Sequence, residues 1–196
     1  MSQEMIVGLD VLLSLALGIG LSAACGFRVF VPFLVMSVAA LTGHLELGEG
    51  WEWIGSYPAV FAFATATVLE IAAYYVPWLD NTLDAVATPA AVVAGAVATA
   101  AVMTEMSPFL TWTLAAIAGG GAAGLVQTGT VLLRTLSTST TLGLGNFTVA
   151  TGELGGSLVT AILAIMLPWV TLALVLLLVV WVMRKLRRNR NRAMAV

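Results

Sequence analysis

The sequence predicts an all-α, polytopic integral membrane helix bundle of about six to seven spans, broken or re-entrant segments included. Three observations carry this reading. Hydrophobic residues make up 60% of the 196-residue chain and charged residues only 9%, against about 25% charged in soluble domains. The mean hydropathy is +1.03. Apolar blocks fall at about 9–25, 27–43, 57–76, 89–104, 110–134 and 157–183, each near the ~20 residues that cross a bilayer as a helix. They form one transmembrane domain over residues 1–183, with a basic tail at 184–196.

The N-terminus MSQEMIVGLD is acidic, unlike the basic start of a cleavable signal peptide. Residues 9–43 would make about 50 Å of helix at 1.5 Å per residue, too long for one crossing of a ~30 Å core. A break near Gly26-Phe27-Arg28, before Pro32, divides them into two segments. The loop HLELGEGWEWIGS (44–56) carries three glutamates and no Lys or Arg. It belongs on the outer face, with Trp51 and Trp53 at the interface where amphipathic rings settle. The run 57–76 then travels inward to PWLDNTLDAVATP (77–89). There Thr88-Pro89 is expected to be an N-cap followed by a first-position proline that opens the next span. Glu105-Met106-Ser107-Pro108 is a short outer turn, and 110–134 returns inward to Arg134.

Six of the eight basic residues crowd into RKLRRNRNR (184–192), directly after the longest apolar run, 158–183. Basic flanks stay cytoplasmic, which places the C-terminus inside. Lipid or nucleic-acid contact is the alternative use of this tail, but Arg-Asn alternation without aromatics offers no stacking platform. The last span must therefore start outside, and TLSTSTTLGLGNFTVATGELGG (135–156) has to cross as well. It is rich in hydroxyls and glycine, and such backbone survives at membrane depth only inside protein or along a water-filled cavity. A broken or re-entrant segment is expected here. Each half, about 9–88 and 110–183, then has a small-residue helix, a broken segment and a helix with a Pro-Trp pair (Pro77-Trp78, Pro168-Trp169). This weak two-fold repeat resembles the duplication of transporter folds.

Charge inside the membrane is the strongest functional signal, because each such group costs about 2.5–3.5 kcal/mol at the bilayer centre. The candidate substrate- or ion-binding residues are Arg28, Glu70, Asp80, Asp84, Arg134, Asn146 and Glu153. No Lys or Arg occurs from Val29 to Leu133, so Glu70 needs a partner from across the bundle, Arg28 or Arg134. Asp80 and Asp84 share one helical face, where like charges repel. In a dry site that repulsion favours keeping a proton on one of them, which suits proton or cation coupling. A solvated acidic cap is the plainer alternative. Small residues recur at helix-packing spacing, as Gly18, Ser22 and Gly26 and as Gly120 and Gly124. Close packing explains them; unwinding of Gly119-Gly120-Gly121 beside a ligand is the other reading.

Enzymatic readings fail on residue types. The one histidine, His44, lies in the outer loop, so HExxH chemistry and a Ser-His or Cys-His nucleophile lack their base. GLGN (143–146) has no GK[ST] after it and is no phosphate loop. Asn146 stands where an intramembrane aspartyl protease would need an aspartate. No enzyme activity, no cofactor and no metal site is expected.

The motifs GFRVFVP (26–32), Glu70 through VPWLDNTLD to Asp84, Thr88-Pro89 with Gly95, and GLGNFTVATGEL (143–154) resemble an uncharacterised bacterial membrane family catalogued only as a domain of unknown function. The resemblance runs from about Leu15 to Leu178. It implies a small multi-span inner-membrane protein and carries no established activity. It marks Arg28, Pro32, Glu70, Asp80, Asp84, Pro89, Gly145, Asn146 and Glu153, and makes Gly26, Pro32, Pro77, Pro89, Gly143 and Gly145 structural motif residues. The chain departs from that pattern at Tyr74 and Tyr75, where relatives tend to carry an acid and a lysine. It departs again at Glu153-Leu154, where they tend to carry Glu-Asp. The expected function is a transporter, channel or lipid translocase, with a structural or assembly role as the alternative. Expected partners are the lipid bilayer, a small solute, ion or lipid as substrate, and a second copy of the chain as an option, with no nucleic acid.

Overall fold

The computed structural model describes residues 3–75, 77–142 and 144–193, apart from the side chains of 3–7, 77–85, 181–183 and 185–193. The described residues form helices α1 (Gln3–Cys25), α2 (Phe30–Leu41), α3 (Tyr57–Tyr74), α4 (Pro77–Val102), α5 (Pro108–Leu114), α6 (Gly121–Thr141), α7 (Asn146–Met166) and α8 (Pro168–Ala193). A π-helical turn, Ala115–Gly120, joins α5 to α6, so 108–141 is one continuous rod. Four stretches are long and apolar enough to cross a membrane, namely Gly8–Cys25, Tyr57–Tyr74, Pro108–Thr141 and Asn146–Met166. Shorter apolar helical stretches lie at Phe30–Leu41, Val86–Val102 and Pro168–Val180. The protein is a membrane-embedded helix bundle.

Helix α1 is the axis of the bundle and packs on α4, α6, α7 and α8. Its inner surface is nearly all small, with Ala16, Ala23, Ala24 and Cys25 fully buried. Without bulky side chains the backbones come close enough for hydroxyl-to-carbonyl bonds between helices. Thr99 donates to the Gly18 carbonyl at 3.0 Å, Ser157 donates to Ala24 at 3.0 Å, and Ser22 donates to Gly119. A Cβ on Gly119 would collide with the Thr99 hydroxyl, and one on Gly95 with Ser22. Of the two readings of the small-residue pattern, close packing is what these glycines serve. The π-turn begins with Ala115 and ends with Gly119 and Gly120, all three buried.

The break foreseen near Gly26–Arg28 is present as a turn between α1 and α2, tied by Gly26 and Phe27 N–H bonds to the last carbonyls of α1. Pro32 lies in the first turn of α2, where its missing N–H costs nothing. The loop 44–56 folds back on the bundle: Gly48 N–H donates to Ala101 at 2.8 Å, and Ser37 donates to the carbonyl of the fully buried Ile54. Ser56 caps α3 by accepting from Ala59 N–H at 3.3 Å.

Two expectations are corrected. Thr88-Pro89 does not open a span: α4 begins at Pro77 and runs through Pro89 to Val102. Asp80 and Asp84 therefore lie one turn apart on a continuous helix, and their side chains lie outside the described residues. The polar segment 135–156 is not one irregular stretch of chain. It is the end of α6, the turn residues Leu142, Leu144 and Gly145, and the start of α7. Its hydroxyls are satisfied within the helix: Thr135, Thr140 and Thr141 donate to carbonyls four residues back at 2.7–2.8 Å, so a polar sequence can hold regular helix. The real interruption is at Leu167. Pro168 disfavours helical geometry in the residue before it, and Leu167 sits at φ −140°, ψ 65°. This splits the long apolar run into α7 and α8. Pro77 and Pro168 both begin helices. Gly143 lies outside the described residues.

Candidate functional site

Four elements converge at one end of the bundle: the α1–α2 turn with Arg28, the last turn of α3 with Glu70 and Tyr74, α6 with Arg134, and α7 with Glu153. Arg134 and Glu153 each lie seven residues from the α6–α7 turn region, about 10 Å of helix rise. The fold buries all three charges of the central group, leaving Arg28, Arg134 and Glu153 only 1%, 5% and 4% exposed.

Glu153 holds both arginines. Arg134 approaches it in a two-pronged pair, Nε to Oε1 at 2.9 Å and Nη2 to Oε2. Arg28 Nη2 lies 3.5 Å from the same Oε2 and donates to the Ala150 carbonyl at 3.1 Å. The carboxylate and that carbonyl are one turn apart on the buried face of α7, which continues through Ser157, Ala161 and Ala164. The Tyr74 ring completes the cluster: the Cζ atoms of Arg28 and Arg134 lie 3.8 and 4.1 Å from its centroid. An aromatic face attracts such cations most when water is excluded. Two guanidinium groups share the Glu153 carboxylate, and the Glu70 carboxylate also lies within electrostatic reach of Arg28. Arg28 Nε and Nη1 are buried without a hydrogen-bond partner among the described residues.

Glu70 does not pair with an arginine as expected. Its Oε1 accepts from Val29 N–H at 2.8 Å and its Oε2 from Phe30 N–H at 3.1 Å. These are orphan donors at the start of α2. Val29 stands at the N-cap position of α2 and has no side chain that could cap it. A carboxylate from another helix supplies that cap and meets the positive end of the α2 dipole. Glu70→Gln is expected to lower stability by about 1–2 kcal/mol, measured as a shift in the thermal or denaturant midpoint, while Glu70→Asp should lose a smaller share.

The remaining candidates lie nearer the chain ends of this site. Asn146 Nδ2 donates to Thr138 Oγ1 at 3.1 Å, tying α7 to α6. Gly145 N–H donates to Thr141 Oγ1 at 2.8 Å, and a Cβ at Gly145 would meet Ser137 Oγ at 2.5 Å. Gly26 lies against α6, where a Cβ would be 2.5 Å from the Ala123 carbonyl oxygen. Pro89 lines an apolar groove together with Val29 and Phe30. The residue that sequence reasoning missed is Tyr74, whose signal was the departure from the resembling family at 74–75. Both departing positions reach the site region: Tyr75 Oη hydrogen-bonds Thr151 Oγ1 at 2.9 Å, and its ring lies 5.6 Å from Phe147.

No curated protein matches the chain, and no solved structure matches it either. The family described as a domain of unknown function (DUF4126) matches residues 15–188, a stretch that contains Arg28, Glu70, Tyr74, Arg134 and Glu153, and the chain belongs to that family.

Proposed function

We propose that the protein is a small transporter, channel or lipid translocase of the bacterial inner membrane, with its C-terminus in the cytoplasm and an anion-accepting centre at Arg28. One observation carries this reading: Arg28 is 1% exposed, yet its Nε and Nη1 have no hydrogen-bond partner among the described residues. Leaving a buried charged donor unmade costs at least ~1–3 kcal/mol, an expense that a binding group recovers when its ligand arrives. The unfilled donors on the Arg28 guanidinium give the ligand its sign. Thr138, Asn146, Tyr75 and Thr151 supply polar groups between this centre and the α6–α7 turn. Asp80 and Asp84, one turn apart on α4, are the candidates for proton or cation coupling. The chemistry is recognition and movement, with no bond made or broken.

A structural role is the second reading, favoured by the pairing of Glu153 with both arginines and by the use of Glu70 as a helix cap. Thermal unfolding of the purified full chain in sodium gluconate, chloride, nitrate, phosphate and sulfate separates the two. Stabilisation by one of the smaller anions over gluconate, lost in Arg28→Lys, together with flux of that anion into proteoliposomes, is the expected outcome. Indifference to every anion, with no flux, would assign the cluster to holding helices together.

A further inference from the structure

A second feature lies beside the charged cluster. An apolar groove of about 570 Å³ runs between α2, α3 and α4, within the ~300–1,000 Å³ of small-molecule sites. Phe30, Phe33, Phe63 and Val93 line it, and Trp51 and Trp53 stand at one mouth. Along α4 it extends from Val86 to Val97, about 16 Å of rise at 1.5 Å per residue. That length matches one leaflet of the hydrocarbon core, about half of 30 Å. Phe33 stacks on Phe63 with centroids 5.3 Å apart, and Trp53 lies 6.1 Å from Phe63, so the wall is built rather than loose. At the other end Val29 and Phe30 close it, their N–H groups held by Glu70.

The mouth identifies the headgroup. Trp51 lies 6.3 Å from Trp112, itself in the second turn of α5, which puts both rings near the helix ends where aromatic residues meet lipid headgroups. The same loop carries Glu46, Glu49 and Glu52, all exposed, and no Lys or Arg. An anionic headgroup would be repelled there. An ammonium group would find carboxylates and indole faces.

We propose that this groove binds one phospholipid with an amino headgroup, its acyl chain between α2 and α4 and its ammonium at Glu49, Glu52 and the tryptophans. The walls of the groove share no side chain with the arginine cluster, which the groove adjoins at the α1–α2 turn, where Val29 and Phe30 follow Arg28. A lipid held in this way covers an aromatic wall that the seven apolar helical stretches leave open, and it lies against the helix whose N-terminus Glu70 caps.

The test is native mass spectrometry of the full chain in mild detergent, exposed to equal amounts of phosphatidylethanolamine and phosphatidylglycerol. The expected result is one bound lipid, with phosphatidylethanolamine preferred about tenfold. Val93→Trp should remove that adduct while leaving the melting temperature in saturating detergent unchanged, since Val93 is 62% exposed. Glu49→Gln/Glu52→Gln should keep lipid binding and erase the headgroup preference. The proposal is overturned if Val93→Trp retains the lipid, if phosphatidylglycerol binds equally well to the parent, or if the parent shows a dimer in place of a lipid adduct.

Discussion

Replacing Glu153 with glutamine is expected to be the most damaging conservative change in the protein, at about 3–5 kcal/mol. The carboxylate lies between two buried guanidinium groups, with Arg134 in a two-pronged pair and Arg28 at 3.5 Å. An amide neutralises neither of them, and both cations would then face each other and the Tyr74 ring in a site closed to water. The loss should be read as a fall in the unfolding midpoint and in the yield of folded protein from membranes. Arg134→Gln in the same background removes one of the two uncompensated charges, and the double variant should recover more than half of the loss. A double variant no better than Glu153→Gln alone would mean that the pair is not coupled as the geometry requires.

The second large effect is steric. Gly26→Ala places a Cβ 2.5 Å from the Ala123 carbonyl oxygen and 2.6 Å from Val126 Cβ. The first of these is backbone, which cannot rotate aside, so α1 and α6 must separate. Overpacking of this kind costs about 1–3 kcal/mol. Separation here would also disturb the turn that carries Arg28, so any anion-dependent stabilisation should shrink together with the midpoint. Gly121→Ala is the matched control. A Cβ there meets nothing within 4 Å, and alanine is a better helix former by about 1 kcal/mol, so the midpoint should hold or rise. Thermal unfolding of the two variants side by side measures the difference.

The corrections to the sequence reading have local physical causes. Thr88-Pro89 carries the chemistry of a helix start, but α4 was already under way from Pro77, and a helix can continue through a proline when neighbours and local adjustments satisfy the freed backbone groups. The hydroxyl-rich run 135–141 is polar by composition, yet Thr135, Thr140 and Thr141 turn their donors onto their own helix, which composition does not reveal. Pro168 was visible throughout. The uninterrupted apolar character of 158–183 hid the fact that Leu167 leaves the helix there.

What the sequence by itself determined is the solvent of this protein and the identity of its costly groups. Sixty per cent hydrophobic composition demands a bilayer, Gly26-Phe27-Arg28 had to break an overlong helix, and Arg28, Glu70, Arg134 and Glu153 stood out because so few charges occur in the spans. Only the tertiary structure decided who meets whom. Arg134 meets Glu153 across 19 residues, Glu70 caps Val29 across 41, and Arg28 reaches Ala150 across 122. Periodicity tells which side of a helix a residue occupies, but not which neighbour faces that side. That choice follows from how the small residues of α1, α4 and α7 let their backbones approach. The same packing brought Tyr74 against two arginines, a contact that no local pattern announces.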